Sequence, residues 1–110
     1  MFKLFRRAPA GHSDPLEAHA AQRRGAVLLD VREAHEWREG HARGARHLPL
    51  SRLQQQTPAL PAETEVHVIC AHGRRSLTAA RLLRRAGFTT VYSVRGGTTG
   101  WQRAGLPLDR

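Results

Sequence analysis

Cysteine occurs once in the 110 residues, at Cys70. An internal disulfide is thereby excluded, and so is any zinc site needing two or four thiolates. Apolar runs are short and reach only four residues, as in Ala26-Val27-Leu28-Leu29. A transmembrane helix needs about 20 apolar residues and a secretory leader about 7–15, so neither is read here. Aromatic residues make up only 5% of the chain, and none is interleaved among its arginines, which argues against stacking on nucleic-acid bases. Lysine is nearly missing, with one among 18 bases. The seven histidines form no i, i+4 pair with an acidic companion, so no metal site is expected, and nothing calls for a cofactor.

What remains is one domain's worth of chain, 40% hydrophobic and 25% charged, the proportions of an ordinary soluble fold. With no targeting signal read, a cytoplasmic location is expected. The charge is uneven. Residues 1–70 hold ten bases and eight acids, whereas residues 71–110 hold eight arginines and one acid, Asp109. The C-terminal third should project a positive field that attracts anionic substrates or an acidic protein partner. Residues 1–14 read as a basic N-terminal segment with a frayed end, or alternatively a weak docking or targeting turn, and residues 15–110 as the folded domain.

Asp14-Pro15 is an N-cap followed by proline at the first helical position, and a helix should run from there to near Gly25. Residues 26–31 are apolar and close on Asp30, as in a central parallel strand buried on both faces. Glu33–Glu39 suits a short helix stopped by Gly40, residues 46–48 a short strand, and Ser51 the cap of a turn carrying Leu53. Residues 66–70 form a second strand and 91–94 a third. Between them, Ser76 should begin a helix whose apolar stripe includes Leu77, Ala79, Ala80, Leu82, Leu83 and Ala86, with Gly87 as its C-cap. A short helix after Gly96-Gly97 should carry Trp101 into the core. The alternation of strands and helices predicts a parallel sheet covered on both faces.

The segment Cys70-Ala71-His72-Gly73-Arg74-Arg75-Ser76 carries the chemistry. Ligands of open α/β sheets bind beyond the carboxyl ends of the strands, where a helix N-terminus offers unpaired N–H groups. Those groups and the guanidinium groups of Arg74 and Arg75 favour a thiolate, the nucleophilic form of cysteine. Gly73 lets the backbone turn several N–H groups toward one centre. Phosphatases that cradle phosphate on such a loop need five residues between cysteine and arginine. Here Arg75 follows after four and position 76 is serine, so the loop is one residue short for a tetrahedral phosphate. It suits a ring of N–H groups around a sulfur atom bonded to Cys70.

With these residues in hand, the sequence resembles the rhodanese family of single-domain sulfurtransferases over about Pro15 to Pro107. Leu29-Asp30-Val31-Arg32-Glu33 resembles the first signature strand. Glu39-Gly40-His41, Gly44-Ala45 and Leu48-Pro49 are similar to the segment that follows it, and Cys70–Ser76 resembles the active-site loop. Gly96-Gly97, Trp101 and Gly105-Leu106-Pro107 resemble the closing segment. The resemblance implies a three-layer α/β/α fold around a five-stranded, mainly parallel sheet. It implies that Cys70 accepts a sulfane sulfur from a small anionic donor such as thiosulfate and passes it to a thiol or cyanide. The N–H groups of Ala71, His72, Gly73, Arg74, Arg75 and Ser76 would then ring that sulfur. Arg75 would anchor the loop or hold the donor. Many members carry a base directly after the cysteine; Ala71 departs from that pattern and leaves His72 and Arg74 as the nearby bases. Around the loop, Asp30 is expected to brace Arg75 or another loop base, or to be a plain turn residue, and Arg32 either lines the mouth or is solvated. The other reading is a rhodanese-like sulfur carrier or protein-binding module without efficient thiosulfate turnover.

Overall fold

The computed structural model describes residues 11–110, and the basic stretch before them lies outside the described residues. The strands are β1 (His12–Ser13), β2 (Val27–Asp30), β3 (His41–Ala42), β4 (Arg46–His47), β5 (Val66–Ile69), β6 (Val91–Val94) and β7 (Leu108–Asp109). The helices are α1 (Pro15–Arg23), α2 (Ala34–Glu39), α3 (Leu50–Leu53), α4 (Arg75–Arg85) and α5 (Gly97–Arg103). Five strands form one sheet in the order β1-β6-β5-β2-β4, and every neighbouring pair is parallel. β3 and β7 pair antiparallel beside it.

The alternation of side chains along the strands sorts the core into two layers. Leu29, Val66, Val68 and Val91 pack with Leu53, Ala79, Ala80 and Leu83 on the α3/α4 face. Leu28, Ile69 and Val94 pack with Ala18 and Trp101 on the α1/α5 face. Trp101 is fully buried, and its indole N–H donates to the Pro107 carbonyl at 2.9 Å. A buried indole therefore leaves no unpaired donor.

Local signals account for several boundaries. Asp14 caps α1 by accepting from Glu17 N–H at 2.8 Å, and the Glu17 carboxylate accepts from Asp14 N–H at 2.8 Å. This reciprocal pair satisfies two donors at the helix start. Ser51 does not cap α3. Pro49, extended at φ −56° and ψ 146°, precedes the first turn, and its carbonyl accepts from Arg52 and Leu53 at 2.9 and 3.0 Å. α4 begins at Arg75, one residue before Ser76. It is C-capped by Ala86, with Gly87 following at φ 106°. Ala86 is exposed rather than part of the apolar stripe, because the chain turns there to bring Phe88 into the core.

From β2 the chain moves outward to β4. It then returns on the other side of β2 as β5 and continues to β6. The carboxyl ends of β2 and β5 thus flank the point where the order reverses, the place where open parallel sheets leave a crevice. Asp30 closes β2 opposite Ile69, and Cys70 follows Ile69 directly.

Candidate active site

Cys70 leaves β5 with its side chain beneath the first turn of α4, and the residue is only 1% exposed. Its sulfur accepts from Gly73 N–H at 3.1 Å and from Ser76 N–H at 3.3 Å. Arg74, the residue in the cap position, makes no side-chain cap bond. The cysteine sulfur therefore does what an N-cap oxygen usually does, satisfying an amide at the positive end of the helix. Of the six N–H groups expected to ring the sulfur, those of Gly73 and Ser76 hold Sγ itself in this resting form. Sγ also lies 3.4 Å from Ser76 Oγ, which lies 2.7 Å from Ser93 Oγ on β6.

The arginines divide their work. Arg75 donates to both carboxylate oxygens of Glu36, at 2.7 and 2.9 Å, tying α4 to α2. The hydrogen bonds from Arg75 are the main reason that the Glu36 carboxyl is lowered to about 2, and Arg75 is raised in turn. Arg75 also feels the charge of Asp30. Asp30, however, does not bond to it. Its oxygens take Arg32 Nε at 3.0 Å and Nη2 at 2.8 Å, together with Arg32 N–H at 2.9 Å. The pair is buried, and Arg32 Nη2 also donates to the Gly40 carbonyl at 2.8 Å. Arg32 is thus locked by protein groups instead of solvated. Arg74 and His72 are exposed on the loop.

The segment Gly96-Gly97 is more than a turn. An added Cβ on Gly97 would lie 2.6 Å from the carbonyl carbon of Ala71 and closer still to the Cys70 carbonyl oxygen. Its φ of 57° is also one that side-chain-bearing residues avoid. This close approach seats the start of α5 on the loop. Thr98 N–H and Oγ1 both donate to the Cys70 carbonyl, at 2.8 and 3.0 Å, and Thr99 N–H donates to Ala71 at 3.2 Å. Thr99 Oγ1 lies 3.3 Å from His72 Nδ1.

Glu36, Ser93, Thr98 and Thr99 are site residues that sequence reasoning missed. The run Gly-Gly-Thr-Thr was the one signal for the threonines, since two glycines before hydroxyl residues allow a backbone to approach and then be bonded. Beside the loop opens a cleft of about 640 Å³ lined by Arg32, Glu39, His72, Thr99, Gln102 and Arg110 among others. His41 and His47 stack on Trp37 at centroid distances of 3.5 and 4.7 Å. His41 and His47 also hold backbone carbonyls at 2.9 and 2.7 Å, a structural use of both rings.

Comparison with known proteins agrees with this geometry. The model of the rhodanese-like domain matches residues 14–104. The thiosulfate sulfurtransferase GlpE of Stutzerimonas stutzeri is 38% identical over 105 residues, 96% of this chain and 91% of that one. The protein of the same name from Actinobacillus succinogenes is 42% identical over 88 residues, covering 80% and 79% of the two chains. Among solved structures, the human single-domain sulfurtransferase TSTD1 superposes with a TM-score of 0.77 at 28% identity, over 86% of this chain and 96% of that one. A rhodanese-related protein from Thermoplasma volcanium gives 0.80 at 28% identity, over 89% and 96%.

Proposed function

The chain belongs to the rhodanese-like domain family, and from that premise we propose that it transfers a sulfane sulfur through a persulfide on Cys70, with thiosulfate as donor. The observation that carries this reading is the sulfur of Cys70 held at the N-terminus of α4 by the Gly73 and Ser76 amides. The curated relatives named as thiosulfate sulfurtransferases support the choice of donor.

In the first half-reaction the Cys70 thiolate attacks the outer sulfur of thiosulfate. A Cys70 S–S bond forms as the donor's S–S bond breaks, and the bonding pair leaves on sulfite. The persulfide keeps one negative charge, and sulfite carries two. The Gly73 and Ser76 amides hold Sγ in place before attack, and the loop's other N–H groups meet the charge as it moves to the outer sulfur. In the second half-reaction cyanide or a thiolate attacks the outer sulfur, and the electron pair of the S–S bond returns to Cys70 Sγ. With no second cysteine to resolve the persulfide, the acceptor must come from outside the chain. The exposed loop bases His72 and Arg74 attract the donor anion, and the exposed arginines of α4 suit an acidic protein as the thiol-bearing acceptor.

The experiment is thiocyanate formation from thiosulfate and cyanide. The intact chain should turn over by a ping-pong scheme and Cys70→Ser should not. Turnover that survives the substitution would overturn the reading.

A further inference from the structure

β6 alternates cleanly. Val91 packs in the α3/α4 layer and Val94 in the α1/α5 layer. Ser93 faces α4, where packing alone would favour another aliphatic residue, and it is buried. Burying a hydroxyl stabilises nothing by itself and is tolerated only with a partner. Its partner is Ser76 Oγ at 2.7 Å, and Ser76 is in turn the hydroxyl beside Cys70 Sγ at 3.4 Å. The three side chains form one buried line from β6 to the nucleophile.

We infer that Ser93 is a positioning residue for the Cys70 thiolate, acting through Ser76. Each hydroxyl has one proton to give. When Cys70 is a thiol, its S–H donates to Ser76 and Ser76 can donate to Ser93. When Cys70 is a thiolate it can only accept, so Ser76 must turn its proton to the sulfur. Ser93 then donates to the Ser76 oxygen and holds the hydroxyl in that orientation. Cys70 is only 1% exposed, so little water is at hand to solvate its sulfur, and this hydroxyl is a third donor beside the Gly73 and Ser76 amides. A hydrogen bond to a charged acceptor is stronger than one between neutral groups, and a chained donor strengthens the next.

The other charged or titratable groups around the nucleophile are Arg75 on α4, His72 and Arg74 in the loop, Glu36 on α2 and Asp30 on β2. Glu36 is paired with Arg75, and Asp30 with Arg32. None of them touches Ser93, so its replacement leaves their charges in place.

The test is the pH profile of Cys70 alkylation by iodoacetamide, which reads the thiolate without any sulfur donor. It therefore stands or falls separately from the persulfide chemistry. Ser76→Ala should move the midpoint upward by about one pH unit, a tenfold loss of thiolate at a pH below the midpoint, and Ser93→Ala by about half a unit. The decisive measurement is the double variant: with Ser76 already alanine, Ser93→Ala should add nothing, because its effect passes through the missing hydroxyl. At near-constant shape, Ser93→Thr should keep the wild-type midpoint while Ser93→Val shifts it. An unmoved midpoint in Ser93→Ala, an equal shift in the Ser76→Ala background, or equal shifts in the Thr and Val variants would each overturn the assignment.

Discussion

Arg75 and Glu36, 39 residues apart in sequence, meet through two parallel hydrogen bonds of 2.7 and 2.9 Å. Arg75 is the first residue of α4, and Glu36 lies in the first turn of α2, where its carboxylate also accepts from Glu33 N–H at 3.0 Å. One carboxylate thus caps its own helix and anchors the helix whose Ser76 amide holds the Cys70 sulfur.

Because Arg75 holds the Glu36 carboxyl down at about 2 instead of 4.5, the contribution of Glu36 to stability has a defined pH window. A depressed carboxylate stabilises the fold fully above its unfolded value and loses that contribution as pH falls from about 4.5 toward 2. Both side chains are partly solvated, so the contribution is about 1 kcal/mol or less. Urea unfolding of the wild type and Glu36→Gln should differ at pH 7 and converge near pH 2. A gap that persists at pH 2 would show that the glutamine changes packing instead.

Gly97→Ala should disable the loop. The added carbon meets backbone of Cys70 and Ala71, which cannot move without shifting the Cys70 sulfur, and φ is 57°. A loss of roughly 3 kcal/mol is expected, together with a large fall in sulfur transfer. Gly25→Ala is the control. Gly25 also has positive φ, at 106°, but nothing lies within 4 Å of an added carbon there. It should cost only about 1 kcal/mol and leave transfer unchanged. Similar losses at both positions would mean that backbone strain, not collision with the loop, is what matters.

The Asp30–Arg32 pair is buried at the end of β2. Arg32→Ala strands a buried carboxylate and should destabilise by about 3–5 kcal/mol. Adding Asp30→Asn removes the uncompensated charge, and the double variant should recover part of the loss. Chemical denaturation of the three proteins decides this. A double variant less stable than Arg32→Ala would contradict it.

Trp101→Ala should cost about 3–5 kcal/mol, since a fully buried ring is removed from the layer formed with Ala18, Leu28, Ile69 and Val94. Thermal melts read the loss directly.

How much of this was legible in the sequence depends on the range of the interaction that creates each feature. β2, β5 and β6 follow from continuous apolar runs, and α1 and α4 from caps and periodicity, all local signals. The loop from Cys70 to Ser76 was readable because strand end, glycine, arginines and helix start are consecutive. The two-residue strands β1, β3 and β7 were not. They exist only through pairing with distant partners, as His12–Ser13 does with Ser93–Val94. Glu36 carried a local explanation, an acid in the first turn of a helix, which concealed its bond to Arg75. From the sequence alone Asp30 suits either a brace for a loop base or a plain turn residue, and the arginine two residues along claims it instead. Ser93 interrupts an apolar strand by one hydroxyl, and only the fold shows what that hydroxyl faces.

The measurement closest to the centre of the account is the intact mass of the purified, reduced chain before and after thiosulfate, with Cys70→Ser alongside. The wild type should gain one sulfur atom, lose it on addition of cyanide, and the variant should gain nothing. An unchanged wild-type mass with the Cys70 thiol accessible and reduced would contradict sulfur transfer from thiosulfate through this residue.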